Sequence, residues 1–115
     1  MPLEARKYLF DIQQAVNLIE GFCAGRSFAD YQQDPMLRSA VERQFEIVGE
    51  AVSRLAQLSP ALAERLTEYR RIIAFRNILI HAYATIDVRI VWGVVEGKLP
   101  QLRVEVENLL AADPD

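Results

Sequence analysis

The chain predicts an all-α fold, an antiparallel bundle of four to five helices. Three observations carry that reading. Apolar residues recur at steps of three and four along most of the 115 residues. The helix start signals Asp34-Pro35 and Ser59-Pro60 fall between the apolar stripes. Only residues 86–95 alternate as a strand does, and a lone strand has nothing to pair with.

The first stripe is Tyr8, Ile12, Ala15, Val16, Ile19, Phe22 and Cys23, with Gly25 as its expected stop. Residues 27–33 are polar and read as a loop or a single turn. Asp34 and Pro35 then open a helix whose stripe is Leu37, Val41, Phe45, Val48, Val52, Leu55 and Ala56, running to about Leu58. Ser59-Pro60 opens a short segment to Leu66. Thr67 or Glu68 leads into a helix with Ile72, Phe75, Leu79 and Ala82 on one face, ending between Ala82 and Thr85. In residues 86–95, Val88, Val91, Trp92 and Val95 also fit a helix, and the all-helical context decides for it. Pro100 kinks or restarts that helix. The last helix carries Leu102, Val106, Leu109 and Leu110, and residues 111–115 are expected to fray.

Composition bounds function. Length and the 51% hydrophobic and 25% charged fractions describe one globular domain over residues 1–115. A single cysteine, Cys23, rules out an intrachain disulfide framework or a cysteine-based zinc site. It sits on an apolar stripe and reads as an inert core thiol. A single histidine, His81, rules out a multi-imidazole metal centre built from one chain. The net charge of −3 argues against bulk attraction to nucleic acid or to an anionic membrane. No apolar run approaches the roughly 20 residues of a membrane span, and no signal-peptide pattern opens the chain. A cytoplasmic location is expected.

The unusual stretch is Arg76-Asn77-Ile78-Leu79-Ile80-His81-Ala82-Tyr83. It places an arginine, an asparagine, the single histidine and a tyrosine within two helical turns. Asn77 and His81 are four apart and share a face, and Arg76 and Tyr83, seven apart, align. Arg76 and His81 lie about 140° apart, so they converge only at a cleft edge or where the helix ends. The helix dipole near His81 favours a cationic side chain. The plainer reading of such a cluster is an exposed cap or a satisfied polar network.

These residues resemble the Arg-X4-His-X-Tyr signature of HepT-like toxins, a branch of the HEPN superfamily. The resemblance spans nearly the whole chain. The segment from Glu42 to Ala51, with its Gly49-Glu50-Ala51, resembles the family's second helix. Thr85-Ile86-Asp87, Val91-Trp92 and Leu99-Pro100-Gln101-Leu102 are similar to its closing pattern. Tyr69 departs from it, because many relatives carry tryptophan there.

The resemblance implies a HEPN-like homodimer whose two signatures face one cleft. It implies a metal-independent endoribonuclease with no cofactor, acting on RNA. It also implies a minimal nucleotidyltransferase antitoxin as partner, transferring AMP to Tyr83 and so silencing the toxin. The alternative is a non-catalytic substrate-binding or partner subunit of such a nucleotidyltransferase. A third reading is a plain helical dimer in which the signature is an interface network.

In the nuclease reading, Arg76 clamps phosphate through its guanidinium fork and His81 moves protons. Asn77 orients His81 or donates to phosphate. Glu46 and Glu50, four apart, form either an acid/base pair or, the preferred reading, a pair broken up by Glu50 joining an arginine of the signature helix. Tyr83 packs, stacks on a base or accepts AMP. Arg65, Arg70, Arg71 and Arg76 give the region local positive charge, with Arg65 and Arg70 read as a solvated face. Trp92 reads as core or dimer contact.

Overall fold

The computed structural model describes residues 1–112, and the last three residues of the expected fray lie outside it. Within the described residues the chain is all-helical. Five long helices form, as the stripes predict: α1 (Leu3–Cys23), α3 (Pro35–Leu58), α5 (Tyr69–His81), α6 (Val88–Gly97) and α7 (Leu99–Ala112). Two short ones lie between them: α2 (Phe28–Gln33) and α4 (Pro60–Ala63).

Helix α1 ends at Cys23, two residues before the expected stop; Gly25 lies beyond it with φ +73°, in the left-handed region glycine tolerates. Where a loop or a single turn is expected at residues 27–33, the six residues of α2 form a short helix. Ser27 accepts from the Asp30 amide while the Asp30 carboxylate accepts from the Ser27 amide, a capping box that satisfies two otherwise free donors. That helix drives Tyr31 fully into the core, its ring 5.2 Å from the buried Trp92 of α6. Trp92 is thereby a core residue. Cys23 is buried too, and desolvation pushes its thiol up from the ordinary value, which suits an inert side chain.

Asp34 caps α3 by accepting from the Leu37 amide, with Pro35 in the first turn. From Val88 on, the ambiguous segment is the helix α6, capped by Asp87 accepting from the Arg89 amide. Pro100 sits in the first turn of α7, where its missing N–H costs nothing, so the chain restarts there without a kink.

Helix α3 is central: α1, α2, α4 and α5 all pack on it. Helices α1 and α3 run antiparallel. Arg26, just past the end of α1, pairs with Asp34 at the start of α3, while Lys7 and Tyr8 lie beside Glu50 and Arg54. Helix α7 closes over α1, where Arg103 pairs with Glu20 at 3.2 Å. The buried apolar residues of all seven helices form one contiguous core. The described residues measure 42 × 29 × 19 Å, thin enough for about two helix layers.

Helix α5 is the outlier. Of its 13 residues only Tyr69 and Leu79 are buried. Ile72 and Phe75 are half-covered, and Ile78 is 54% exposed. The turn before it is held by Glu68 in the left-handed region, φ 56°, and by Glu105 of α7 accepting from the Thr67 amide. A rigid turn thus presents a half-buried helix to the surface, and that helix carries the signature.

Candidate functional site

Arg76 is placed by a close approach of α5 to α3. A Cβ built on Gly49 would overlap the Cβ of Arg76 and lie 2.7 Å from its Cγ. Only glycine lets the two helices meet at this height. The next residue, Glu50, accepts from Arg76 Nη2. Ala51, one further on, is small and buried. The Gly-Glu-Ala segment therefore has a physical meaning: contact distance, then charge, then core.

The guanidinium is held from two sides. Asn77 Oδ1 accepts from Arg76 Nη1 at 2.9 Å. Glu50 also accepts from Arg54 Nε at 2.9 Å, so one carboxylate carries two arginines. The Nε of Arg76 is buried without a hydrogen-bond partner, while the side chain as a whole keeps 26% of its exposure. Asn77 thus orients Arg76 and not His81 in this state, leaving its amide N–H groups for another acceptor. Glu46 pairs with Arg43 at 3.2 Å, so the Glu46–Glu50 repulsion is relieved by an arginine on each side.

His81 is the last residue of α5, exposed, and its ring makes no hydrogen bond or ion pair among the described residues. Helix geometry sets it about 140° from Arg76. Arg76 turns toward α3, and His81 points off the outer face of the same turn-and-a-half. Within one chain the two are not drawn together. Tyr83 departs from expectation: the helix stops at His81, Ala82 leaves helical angles (φ −122°, ψ 31°), and Tyr83 begins a separate 3₁₀ turn to Thr85. The seven-residue helical alignment of Arg76 with Tyr83 therefore does not hold. Tyr83 is 76% exposed, so it is not a core residue of the single chain.

The local positive charge is smaller than the sequence suggests. Arg70 lies over the Tyr69 ring at 4.7 Å and near Glu64 at 3.7 Å, and Arg71 pairs with Glu68 at 3.4 Å. The two ion pairs are exposed and of little energetic weight.

Two concavities flank α5. A groove of about 340 Å³ between α5 and α6–α7 is floored by Phe45, Ile72, Phe75 and Leu102 and reaches the exposed Ile78. On the other side a charged hollow of about 280 Å³ opens beside Arg76, with Lys7, Tyr8 and Asp11 of α1 and Arg54 of α3 on its walls. Sequence reading missed Gly49 as a spacer, Arg54 and this hollow. Arg54 had a signal, since it stands four residues after Glu50. Gly49 had only its place on the apolar stripe, and the hollow had none.

An all-helical domain with an anchored arginine and a free histidine on one surface helix is the class of protein these features define. The pattern of the family described as ribonuclease HepT-like matches residues 12–109, and the chain belongs to that family. A probable ribonuclease HepT of Thermococcus cleftensis is 36% identical over 104 residues, 90% of this chain and 94% of that protein. A putative RNase of Caldanaerobacter subterraneus is 32% identical over 105 residues, covering 91% and 93%. One from Methanocaldococcus jannaschii is 31% identical over 106 residues, covering 90% and 94%. No solved structure matches significantly. No helix among the described residues is long and apolar enough to cross a membrane.

The spacer role of Gly49 has a direct consequence. Gly49→Ala gains about 1 kcal/mol of helix propensity, but the overlap is with Arg76 Cβ, which cannot swing aside. An overpacking cost of about 1–3 kcal/mol is expected to win. Urea unfolding reads it as a lowered midpoint at unchanged m-value. An unchanged or raised midpoint contradicts the close contact.

Proposed function

We propose that this chain is a single-domain HEPN ribonuclease acting as a homodimer, with Arg76 and His81 as catalytic residues. The observation that carries the reading is the pairing of a braced arginine with a free, exposed imidazole on one helix. Arg76 is the phosphate clamp, with Glu50 and Asn77 holding its guanidinium while other N–H groups remain for phosphate oxygens. The reaction uses the RNA's own 2′-hydroxyl. A base takes its proton, the 2′-oxygen bonds to the adjacent phosphorus, the bond to the 5′-oxygen breaks, and an acid protonates that leaving oxygen. The products are a 2′,3′-cyclic phosphate and a 5′-hydroxyl, and no metal takes part.

One imidazole does not serve as base and acid in the same step. A two-fold mate supplies the second His81. The exposed Ile78 and the apolar groove beside it support such a mate, since both lie on the helix that carries His81.

Single-stranded RNA incubated with the purified chain in EDTA is expected to yield 2′,3′-cyclic ends. His81→Ala is expected to abolish cleavage, and Arg76→Ala to slow it at least 10²–10³-fold, about the cost of one lost charge-stabilising donor. Full activity in His81→Ala removes that residue from the mechanism.

The 76% exposure of Tyr83 favours a second, compatible reading. The chain is then the toxin of a toxin–antitoxin pair, and a minimal nucleotidyltransferase transfers AMP to the Tyr83 hydroxyl from ATP, releasing pyrophosphate. The added phosphodiester is anionic and bulky, and it competes with RNA near Arg76 and His81. The alternative in which the chain is only a partner or substrate subunit predicts the same adduct without cleavage. Intact mass after incubation with the enzyme and ATP is expected to rise by AMP units in the parent chain and not in Tyr83→Phe. An equal rise in Tyr83→Phe places the acceptor elsewhere.

A further inference from the structure

The hollow beside Arg76 is not used by the steps above. Its floor and walls combine an aromatic side chain with charges of both signs, and the charges are unequally engaged. Glu50 is occupied by Arg54 and Arg76. Lys7 and Asp11 make no hydrogen bond or ion pair among the described residues, although they stand four apart on one face of α1. Asp11 is half-buried and so is Tyr8, which lies between them in sequence. Both charges are therefore open to a ligand that enters the hollow from solvent. At about 280 Å³ the hollow falls just under the 300–1,000 Å³ of pockets for drug-sized ligands, a size for one nucleobase or nucleoside.

We propose that this hollow holds one nucleotide of the RNA, next to the phosphate gripped by Arg76, and reads its base. The inference rests on the ribonuclease reading. Tyr8 offers a face for stacking, as single-stranded RNA recognition commonly uses. Asp11 accepts from an exocyclic amino group. Lys7 stands at the mouth, where a backbone phosphate enters. Adenine, cytosine and guanine each carry an exocyclic amino donor, whereas uracil carries none and presents carbonyl oxygens, which a carboxylate repels. The site therefore prefers adenine or cytosine to uracil.

Binding tests this apart from catalysis. The full His81→Ala chain, which leaves strands uncut, is titrated against labelled oligo-A, oligo-C and oligo-U and followed by fluorescence anisotropy. Oligo-A and oligo-C are expected to bind about tenfold tighter than oligo-U, the effect of one hydrogen bond to a charged group. Adding Asp11→Asn, whose amide can donate to uracil, is expected to bring the three within about twofold. Tyr8→Phe is expected to keep parent affinity, and Tyr8→Ala to lose about tenfold for every oligomer. If Tyr8→Ala does not fold, the Asp11→Asn ratio decides alone. Equal binding of the three oligomers, no binding of any, or a preference that Asp11→Asn leaves intact overturns the proposal. A preference that follows Asp11 in a protein that cuts no RNA keeps the hollow and removes the nuclease. Cleavage with no such preference does the reverse.

Discussion

The contact of Arg76 with Glu50 across Gly49 is the interaction on which the rest of the site depends. It sets how close α5 lies to α3 and therefore where the signature helix sits. It gives a half-buried guanidinium the anion it needs, while the side chain as a whole keeps part of its exposure. A lysine at position 76 would keep the charge and lose the fork that lets Glu50, Asn77 and a phosphate share one group. The second arginine on the same carboxylate, Arg54, keeps Glu50 placed from the solvent side. Because these pairs are open to water, their value lies more in orientation than in stability.

The stability of the domain comes from elsewhere. Helices α1 and α3 bury continuous stripes against each other, and α2 adds the Tyr31–Trp92 contact. The Tyr31 hydroxyl is buried without a partner, and burial pushes it far above its ordinary value. Nearby Glu42 is raised as well, by desolvation first and by Glu46 in addition, with Arg38 opposing. With so solid a frame behind it, α5 needs few buried residues of its own. An exposed imidazole, an exposed isoleucine and two flanking concavities follow from that division.

Much of this was legible in the sequence. The stripes of α1 and α3 and the Asp34-Pro35 start are local signals, read by period and by cap chemistry. The same is true of the pairing of Glu50 with a signature arginine, since a repelling Glu46–Glu50 pair needs cations. Helix α2 is hidden because it is too short for an apolar stripe to show its period, although Ser27 and Asp30 spell a capping box. No glycine or proline marks the end of α5 at His81, so the helical pattern runs on past it in the sequence and aligns Tyr83 with Arg76, which the structure does not. Spacing puts Asn77 on the face of His81, free to orient it or to donate to phosphate, whereas its Oδ1 accepts from the adjacent guanidinium. The role of Gly49 and the hollow on α1 depend on which helices meet, and no local pattern in the chain records that.

The seating of Arg76 is tested most directly by a double-mutant cycle on stability, with Glu50→Gln, Arg76→Gln and the pair, each unfolded in urea. If Glu50 and Arg76 hold one another, the two losses are not additive. The double variant loses less than the sum by about 1 kcal/mol, a value discounted for a pair partly open to solvent. Strict additivity would mean that the two side chains do not meet in solution, and the site built on their contact would fall with it.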